Sequence, residues 1–433
     1  MKAYCNNSRS RCGRDGIPSK GVNMPSDLEL HQQLDRSLPV APVGLIVLPS
    51  AEKLGRKVND FIRTFRGKGV TMSHNHSLME GYYQEDYRIP INLDRFETGE
   101  GRAVIESSVR GKDIYILVDI TNYSITYTMN GFINHMSPDD HFMDLKRVIS
   151  AIRSAAKRIT VIMPFLYEGR QHHKSGRESM DAALMLKELF DLGINNFITF
   201  DAHDPRIQSV VPICDFTNYA TPYQFLHALL DSFDDLIIDR EHVVVISPDE
   251  GALNRTVYFA DVIGADTGMF YKRRDYSKIV NGKNPIVAHQ FLGTDLKGKD
   301  AIIIDDMISS GGSMLDTSRQ IKEEMHANRV FVCTTFGLFT DGLDIFDEAY
   351  EKGWFDKIVT TNLTYQPEEL FDKPYHASAD MSKYMATIID FMNHDLSLTN
   401  MSTSTEKIHE ILEKVNRKEQ TEYEQRRLNE TEF

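Results

Sequence analysis

The sequence predicts an α/β protein with two tandem units, each a mostly parallel sheet flanked by helices, and three observations carry that expectation. Short apolar strand-like runs alternate with helix-like stretches from residue 43 onward, as they do when helices cross over a parallel sheet. The alternation passes through the chain twice, the second round beginning near Tyr219. Several runs end in charged or small-residue loops, as strands do when they deliver side chains to a crevice at their carboxyl ends.

The first 37 residues are rich in Arg, Ser, Asn and Gly without an apolar period, so residues 1–40 are expected to form a mobile extension. Residues 41–219 form the first expected unit. Its strands are read at 44–50 (GLIVLPS), 113–120 (DIYILVDI), 158–164 (RITVIMP) and 196–201 (NFITFD). A helix before the last of these is marked by Ser179 as N-cap, by apolar Met180, Ala183 and Leu184, and by Gly193 as its stop. Residues 220–401 form the second unit, with strands at 242–247, 264–271, 301–305, 329–337 and 357–362 and a helix over 314–325. Residues 402–433 are expected to be a charged, solvated helical tail, since Ile408, Ile411, Leu412 and Val415 fall at helical spacing among charges.

At 433 residues and 41% apolar content the chain can bury more than one core. A net charge of −14 argues against general nucleic-acid binding while leaving local basic clusters available to anionic substrates. Cys5, Cys12, Cys214 and Cys333 show no metal-ligand spacing, which suits reduced thiols. No apolar leader-like run occurs in the first 36 residues, and no later segment approaches a membrane span. The expected setting is the cytoplasm.

Five loops carry chemistry. In AIIIDDMISSGGS (301–313) a strand ends in Asp305 and Asp306, whose carboxylates accept from hydroxyls. Ser309, Ser310, Gly311, Gly312 and Ser313 then let backbone N–H groups and hydroxyls face a phosphate at a helix start. The pattern reads as a ribose-phosphate cradle, against the plainer reading of an ordinary strand-to-helix turn. The loop PFLYEGRQHHKSGRES (164–179) gathers Arg170, His172, His173, Lys174 and Arg177, which suits a polyphosphate or, taken alone, a solvated basic loop. In FDAHDPRIQ (200–208), Asp201 and His203 stand where a divalent cation carried by a nucleotide would need them. SPDEGALNR (247–255) offers Asp249 as a cleft carboxylate, or a simple turn. YKRRDY (271–276) brings three cations to a strand end before a polar loop that can close over a phosphoryl group.

In this order the five loops resemble the ribose-phosphate diphosphokinase family, over roughly residues 43–401. RFETGEGRAVIESSVRGKDIYI (95–116) is similar to the family's early adenine-binding stretch. The resemblance implies two tandem phosphoribosyltransferase-type domains, with ATP on the first and ribose 5-phosphate on the second. It implies that Phe96, Thr98, Gly99 and Glu100 contact adenine, often in a neighbouring subunit, and that Arg170 and Gln171 lie at the ATP. Mg²⁺ falls to His203 and Asp249, with Asp201 beside them. Lys272 matches the catalytic lysine and Arg274 an arginine reaching ribose 5-phosphate. Asp305, Asp306 and the loop from Ser309 to Ser313 match the pentose-phosphate site.

The implied reaction is attack of the anomeric hydroxyl of ribose 5-phosphate on the β-phosphorus of MgATP, releasing AMP. A homo-oligomer binding neither nucleic acid nor membrane is implied as well. Thr98, His172, Ser309 and the Asp204–Pro205 step depart from the family pattern. Two alternatives stand beside the enzyme: a non-catalytic regulatory paralogue, and a phosphoribosyltransferase that consumes the sugar diphosphate.

Overall fold

The protein is described here by a computed structural model covering residues 34, 36–72, 76, 79–152, 155–174, 176–274, 286–397, 405 and 408–413, with backbone alone at 70–72, 272–274 and 286–289. Most of the extension through residue 40 and of the tail from 402 lies outside the described residues, as does the polar loop 275–285.

Strands with continuous apolar runs form the centre of each sheet. In the first, β1 (Val43–Val47), β4 (Asp113–Leu117), β7 (Arg158–Ile162), β8 (Asn196–Phe200) and β9 (Asp215–Tyr219) lie in that order, every pair parallel. All residues of β1, β4 and β8 are buried, as strands covered on both faces by helices must be. The covering helices include α1 (Glu52–Met72), α2 (Pro138–Ile152) and α3 (Asp181–Asp191). Two antiparallel hairpins are added, β2 (Ile91–Arg95) with β3 (Gly101–Ile105) and β5 (Thr126–Met129) with β6 (Phe132–His135).

The second sheet has seven strands in the order β12 (Ile286–Gly293), β11 (Asp266–Arg274), β10 (Val243–Ser247), β13 (Asp300–Ile308), β14 (Val330–Gly337), β15 (Lys357–Thr361) and β16 (His376–Ala379). Only the edge pair β11–β12 is antiparallel. Its helices are α4 (Pro222–Ser232), α5 (Leu253–Ile263), α6 (Gly312–Arg319), α7 (Asp344–Glu351) and α8 (Ser382–Asn393). Among the described residues no helix is long and apolar enough to cross a membrane.

Several local expectations need correction. Ser179 does not cap α3: the cap position is Met180, and the Ser179 hydroxyl donates instead to Asp181 Oδ2 at 2.6 Å. The helix expected over 314–325 starts at Gly312, is α-helical to Arg319 and continues as a π turn over Gln320–Glu324. The end of the extension is packed rather than loose, for Leu34 is buried and the Val40 N–H donates to Asn393 O at 2.7 Å. The described part of the tail is not solvated throughout: Ile408 is fully buried against the second unit, and His409 meets Val262 O at 3.0 Å.

The two sheets share a core. Helix α8 follows the last strand of the second sheet yet packs its Met385, Ile388 and Ile389 with Leu54, Val58 and Ile62 of α1. Fully buried Arg66 of α1 donates to Asp390 Oδ1 at 2.7 Å and Asn393 Oδ1 at 2.6 Å. Replacing apolar packing with such a pair gains little, but breaking it strands a charge. This contact fixes the two units against each other and places their strand ends face to face.

Candidate active site

The loops after β7 and β8 meet the end of β13 and the start of α5 between the sheets. Arg170, Asp201, His203 and Asp306 line one small cavity with Phe165, Met307 and Phe336. Asp201, the residue directly after β8, takes φ of +39°, and Glu168 in the loop after β7 takes +56°. Non-glycine residues reach that region at a cost of order 1–3 kcal/mol, and such costs concentrate in functional loops. The Asp201 turn is held by its N–H donating to Tyr219 O at 2.8 Å, and by Thr335 Oγ1 and Arg255 Nη1 donating to its carboxylate at 2.7 and 3.0 Å.

His203 is tied across the cleft: its Nδ1 lies 2.6 Å from Asp306 Oδ2. That hydrogen bond holds the imidazole above its usual range, partly opposed by burial. Burial disfavours the Asp306 carboxylate, yet His203 and Arg255 keep it below the usual carboxylate range. Burial, then the charge of Asp306, pushes Asp305 well above that range. Burial likewise raises Asp201, opposed by Arg255. The two acids of the DD pair therefore differ in kind. Asp306 is 3% exposed and committed to His203, whereas Asp305, the next residue along the strand, points to the opposite face.

Arg255, one turn inside α5, is the cation at the centre of these acids: Asp201, Asp306, Asp305 and Asp249 all favour its charge against burial. It stood in SPDEGALNR but was not singled out, because only the fold brings Asp201 and Asp306 to it. Its position in the first turn of a helix after a strand was the available signal.

Gly311 takes φ of +89° before α6, and a Cβ there would lie 2.1 Å from Phe346 Cζ. The Ser309 carbonyl accepts from Thr340 N–H at 3.0 Å, and the space beside Gly312 is open. Helix-start amides such as those of α6, with Ser310 and Ser313 beside them, have the make-up of an anion nest.

Other residues lie apart. Phe96, Thr98, Gly99 and Glu100 form the β2–β3 turn, with Phe96 N–H donating to Glu100 O at 2.8 Å and Thr98 Oγ1 to Glu100 Oε2 at 2.9 Å. Phe96 is 53% exposed, and none of the four lines the cavity. Gln171 donates to Ser179 O at 2.9 Å, bracing the loop after β7. The backbone of Lys272 and Arg274 ends β11, next to β10; their side chains fall outside the described atoms.

Donation of His203 Nδ1–H to Asp306 leaves the Nε2 lone pair available, the orientation carboxylate partners impose on ligating histidines. Asp249 Oδ1 accepts from turn amides, Gly251 at 3.0 Å and Ala252 at 3.3 Å. Asp201 is spent on Arg255. Among the described residues no group of three or more His, Cys, Asp or Glu residues could hold an ion.

Two phosphoribosyltransferase-type α/β units facing each other across a charged cleft define the class of this protein. A family profile described as the N-terminal domain of ribose phosphate pyrophosphokinase matches residues 50–193, and a phosphoribosyl transferase domain profile matches residues 226–350. Ribose-phosphate pyrophosphokinase of Prochlorococcus marinus is 30% identical over 63% of this chain and 74% of its own length. That of Parasynechococcus marenigrum is 30% identical over 65% and 77%. The solved phosphoribosylpyrophosphate synthetase of Mycobacterium smegmatis shares the fold, with a TM-score of 0.64, 21% identity, and coverage of 82% of this chain and 99% of that one. The chain belongs to the ribose-phosphate pyrophosphokinase family, also called ribose-phosphate diphosphokinases.

Proposed function

We propose that the protein transfers the β,γ-diphosphoryl group of MgATP to the C1 hydroxyl of ribose 5-phosphate, giving phosphoribosyl diphosphate and AMP. The observation that carries this reading is the His203–Asp306 contact, which joins the loop after β8 on one sheet to the end of β13, just before the Ser309 to Ser313 loop, on the other. The proposed division follows: 41–219 binds ATP and 220–401 binds ribose 5-phosphate.

In this reading the Ser309 to Ser313 loop and α6 amides take the 5-phosphate, and Asp305 accepts from ribose hydroxyls. Asp306, with Arg255, orients His203 rather than binding sugar. Arg170 and Gln171 hold the ATP phosphates and nucleoside, and His203 with Asp249 faces the nucleotide's Mg²⁺. Mg²⁺, when bound, screens phosphate oxygens. The anomeric oxygen forms a bond to the β-phosphorus, loses its proton, and the bond from that phosphorus to the oxygen shared with the α-phosphate breaks, leaving AMP. Positioning and charge stabilisation dominate phosphoryl transfer, so Lys272 and Arg274 on β11 are assigned to the charge that develops on the transferred group. Phe96, Thr98, Gly99 and Glu100, exposed on a hairpin away from the cavity, are assigned to the adenine of a neighbouring copy, which makes the active protein a homo-oligomer. The cytoplasm is the proposed setting.

Lys272→Ala is expected to lower turnover on the order of 10² to 10³, as the loss of one preorganised charged donor does; a variant of near-full rate refutes the assignment. Incubating pure protein with ATP, Mg²⁺ and ribose 5-phosphate should release AMP only when the sugar is present. Absence of AMP across phosphate and metal conditions favours the regulatory paralogue.

A further inference from the structure

Two of the positions that depart from the family pattern, His172 and Asp204, meet in space. Each sits in a loop that carries an ATP-site residue. His172 is two residues after Arg170, in the segment between β7, which ends at Ile162, and α3, which starts at Asp181. Asp204 directly follows His203 and caps the short 3₁₀ turn Pro205–Val210, accepting from Arg206 N–H at 2.9 Å. His172 Nε2 lies 3.1 Å from Asp204 Oδ2, with the two side chains 13% and 10% exposed.

The surroundings give that contact a direction. Arg206 donates to both Asp204 oxygens. Asp204 is thus an acceptor, and the hydrogen of the contact is assigned to His172 Nε2. His173 Nδ1 is also 2.9 Å from His172 Nε2, and the His172 and His203 rings lie 5.8 Å apart. His172 Nδ1 is buried with no hydrogen-bond partner, so the ring is held from its Nε2 side.

We propose that His172 and Asp204 are a positioning pair that fixes the distance between Arg170 and His203 and thereby the grip on the ATP phosphates. The proposal rests on the pyrophosphokinase reading. A long irregular loop loses conformational freedom when a ligand orders it, and a side-chain tether pays part of that cost in advance. The tether joins the two ATP-side loops to each other and does not touch the ribose-phosphate cradle, so its removal weakens ATP binding selectively.

The experiment is a double-mutant cycle on the full chain, measuring kcat and separate KM values for MgATP and ribose 5-phosphate. His172→Ala and Asp204→Asn, the latter keeping a side chain able to cap the turn, are each expected to raise KM for MgATP about tenfold or more, the size of effect that orienting partners of site residues have. The expected kcat change is smaller, and KM for ribose 5-phosphate stays within about twofold. The double variant is expected to be no worse than the weaker single one, because both remove one tether. The exchanged pair His172→Asp with Asp204→His, which restores the contact in reverse, is expected to recover most of the MgATP affinity. His227→Ala, which removes an exposed His–Asp contact to Asp231, leaves all constants unchanged. An active parent whose variants keep the parental KM for MgATP, or whose double variant loses the product of the single effects, overturns the pair. A parent that forms no AMP overturns the pyrophosphokinase reading instead.

Discussion

The strand ends of the two sheets differ in charge. The first sheet presents Arg170, His172, His173 and His203 from the loops after β7 and β8, whereas the second presents Asp249, Asp305 and Asp306 and the anion nest before α6. The exchange is not complete: Asp201 lies on the first side, paired with Arg255 from the second. The Arg170 guanidinium and imidazole N–H groups suit the polyphosphate donor, and Asp305 with helix-start amides suits a sugar carrying one phosphate. Neither set is a two-substrate site alone. The difference teaches that the site is a junction, made when α1 and α8 lock the sheets together and His203 crosses to Asp306.

The contrast can be broken most severely at the crossing. Asp306→Ala leaves Arg255 with one partner fewer and frees the His203 ring, so turnover is expected to fall on the order of 10–100-fold with both substrates affected; a change confined to the KM for ribose 5-phosphate would mean that Asp306 is a sugar ligand after all. A narrower break falls on the second side. Gly311→Ala puts a Cβ against Phe346 at a positive φ, and the displaced nest is expected to raise KM for ribose 5-phosphate about tenfold, the loss of one charged hydrogen bond, with KM for MgATP little changed. Equal changes for both substrates would contradict the division.

The smallest effect lies away from the junction and touches stability alone. Burial holds His376 on β16 down to about 4, and its Nε2 meets Thr360 Oγ1 at 2.8 Å. As pH falls below the unfolded value near 6.5, the unfolded chain binds a proton that the folded ring refuses, so stability present above that pH is lost as pH drops toward 4. The expected loss is about 1 kcal/mol between pH 6 and pH 5. Denaturant unfolding of His376→Gln should show that slope flattened, with both KM values at parental levels; an unchanged slope assigns the proton uptake elsewhere.

Much of this was legible in the sequence, because it depends on residues close in the chain. The apolar runs of β1, β4, β8 and β13, the Gly311 turn and the DD pair all follow from local pattern. What escaped depends on packing between distant segments. β9 and the β5–β6 hairpin mix polar and apolar residues because they lie at an edge or in solvent. Asp306 and Asp305 look alike as letters, and only the pleat sends one to His203. Arg255 gains its meaning from acids 54 residues before it and about as far after it. Ile408 read as part of a solvated helix because the surface it covers is built by α4 and α5.

The central claim is that a donor bound on the first sheet passes two phosphates together to a sugar bound on the second. ATP labelled at the β-phosphorus, incubated with the protein, Mg²⁺ and ribose 5-phosphate, tests it most directly. The account predicts that the label moves to the sugar product while unlabelled AMP accumulates in equal amount. Label recovered in ADP, or no transfer to the sugar, would contradict it.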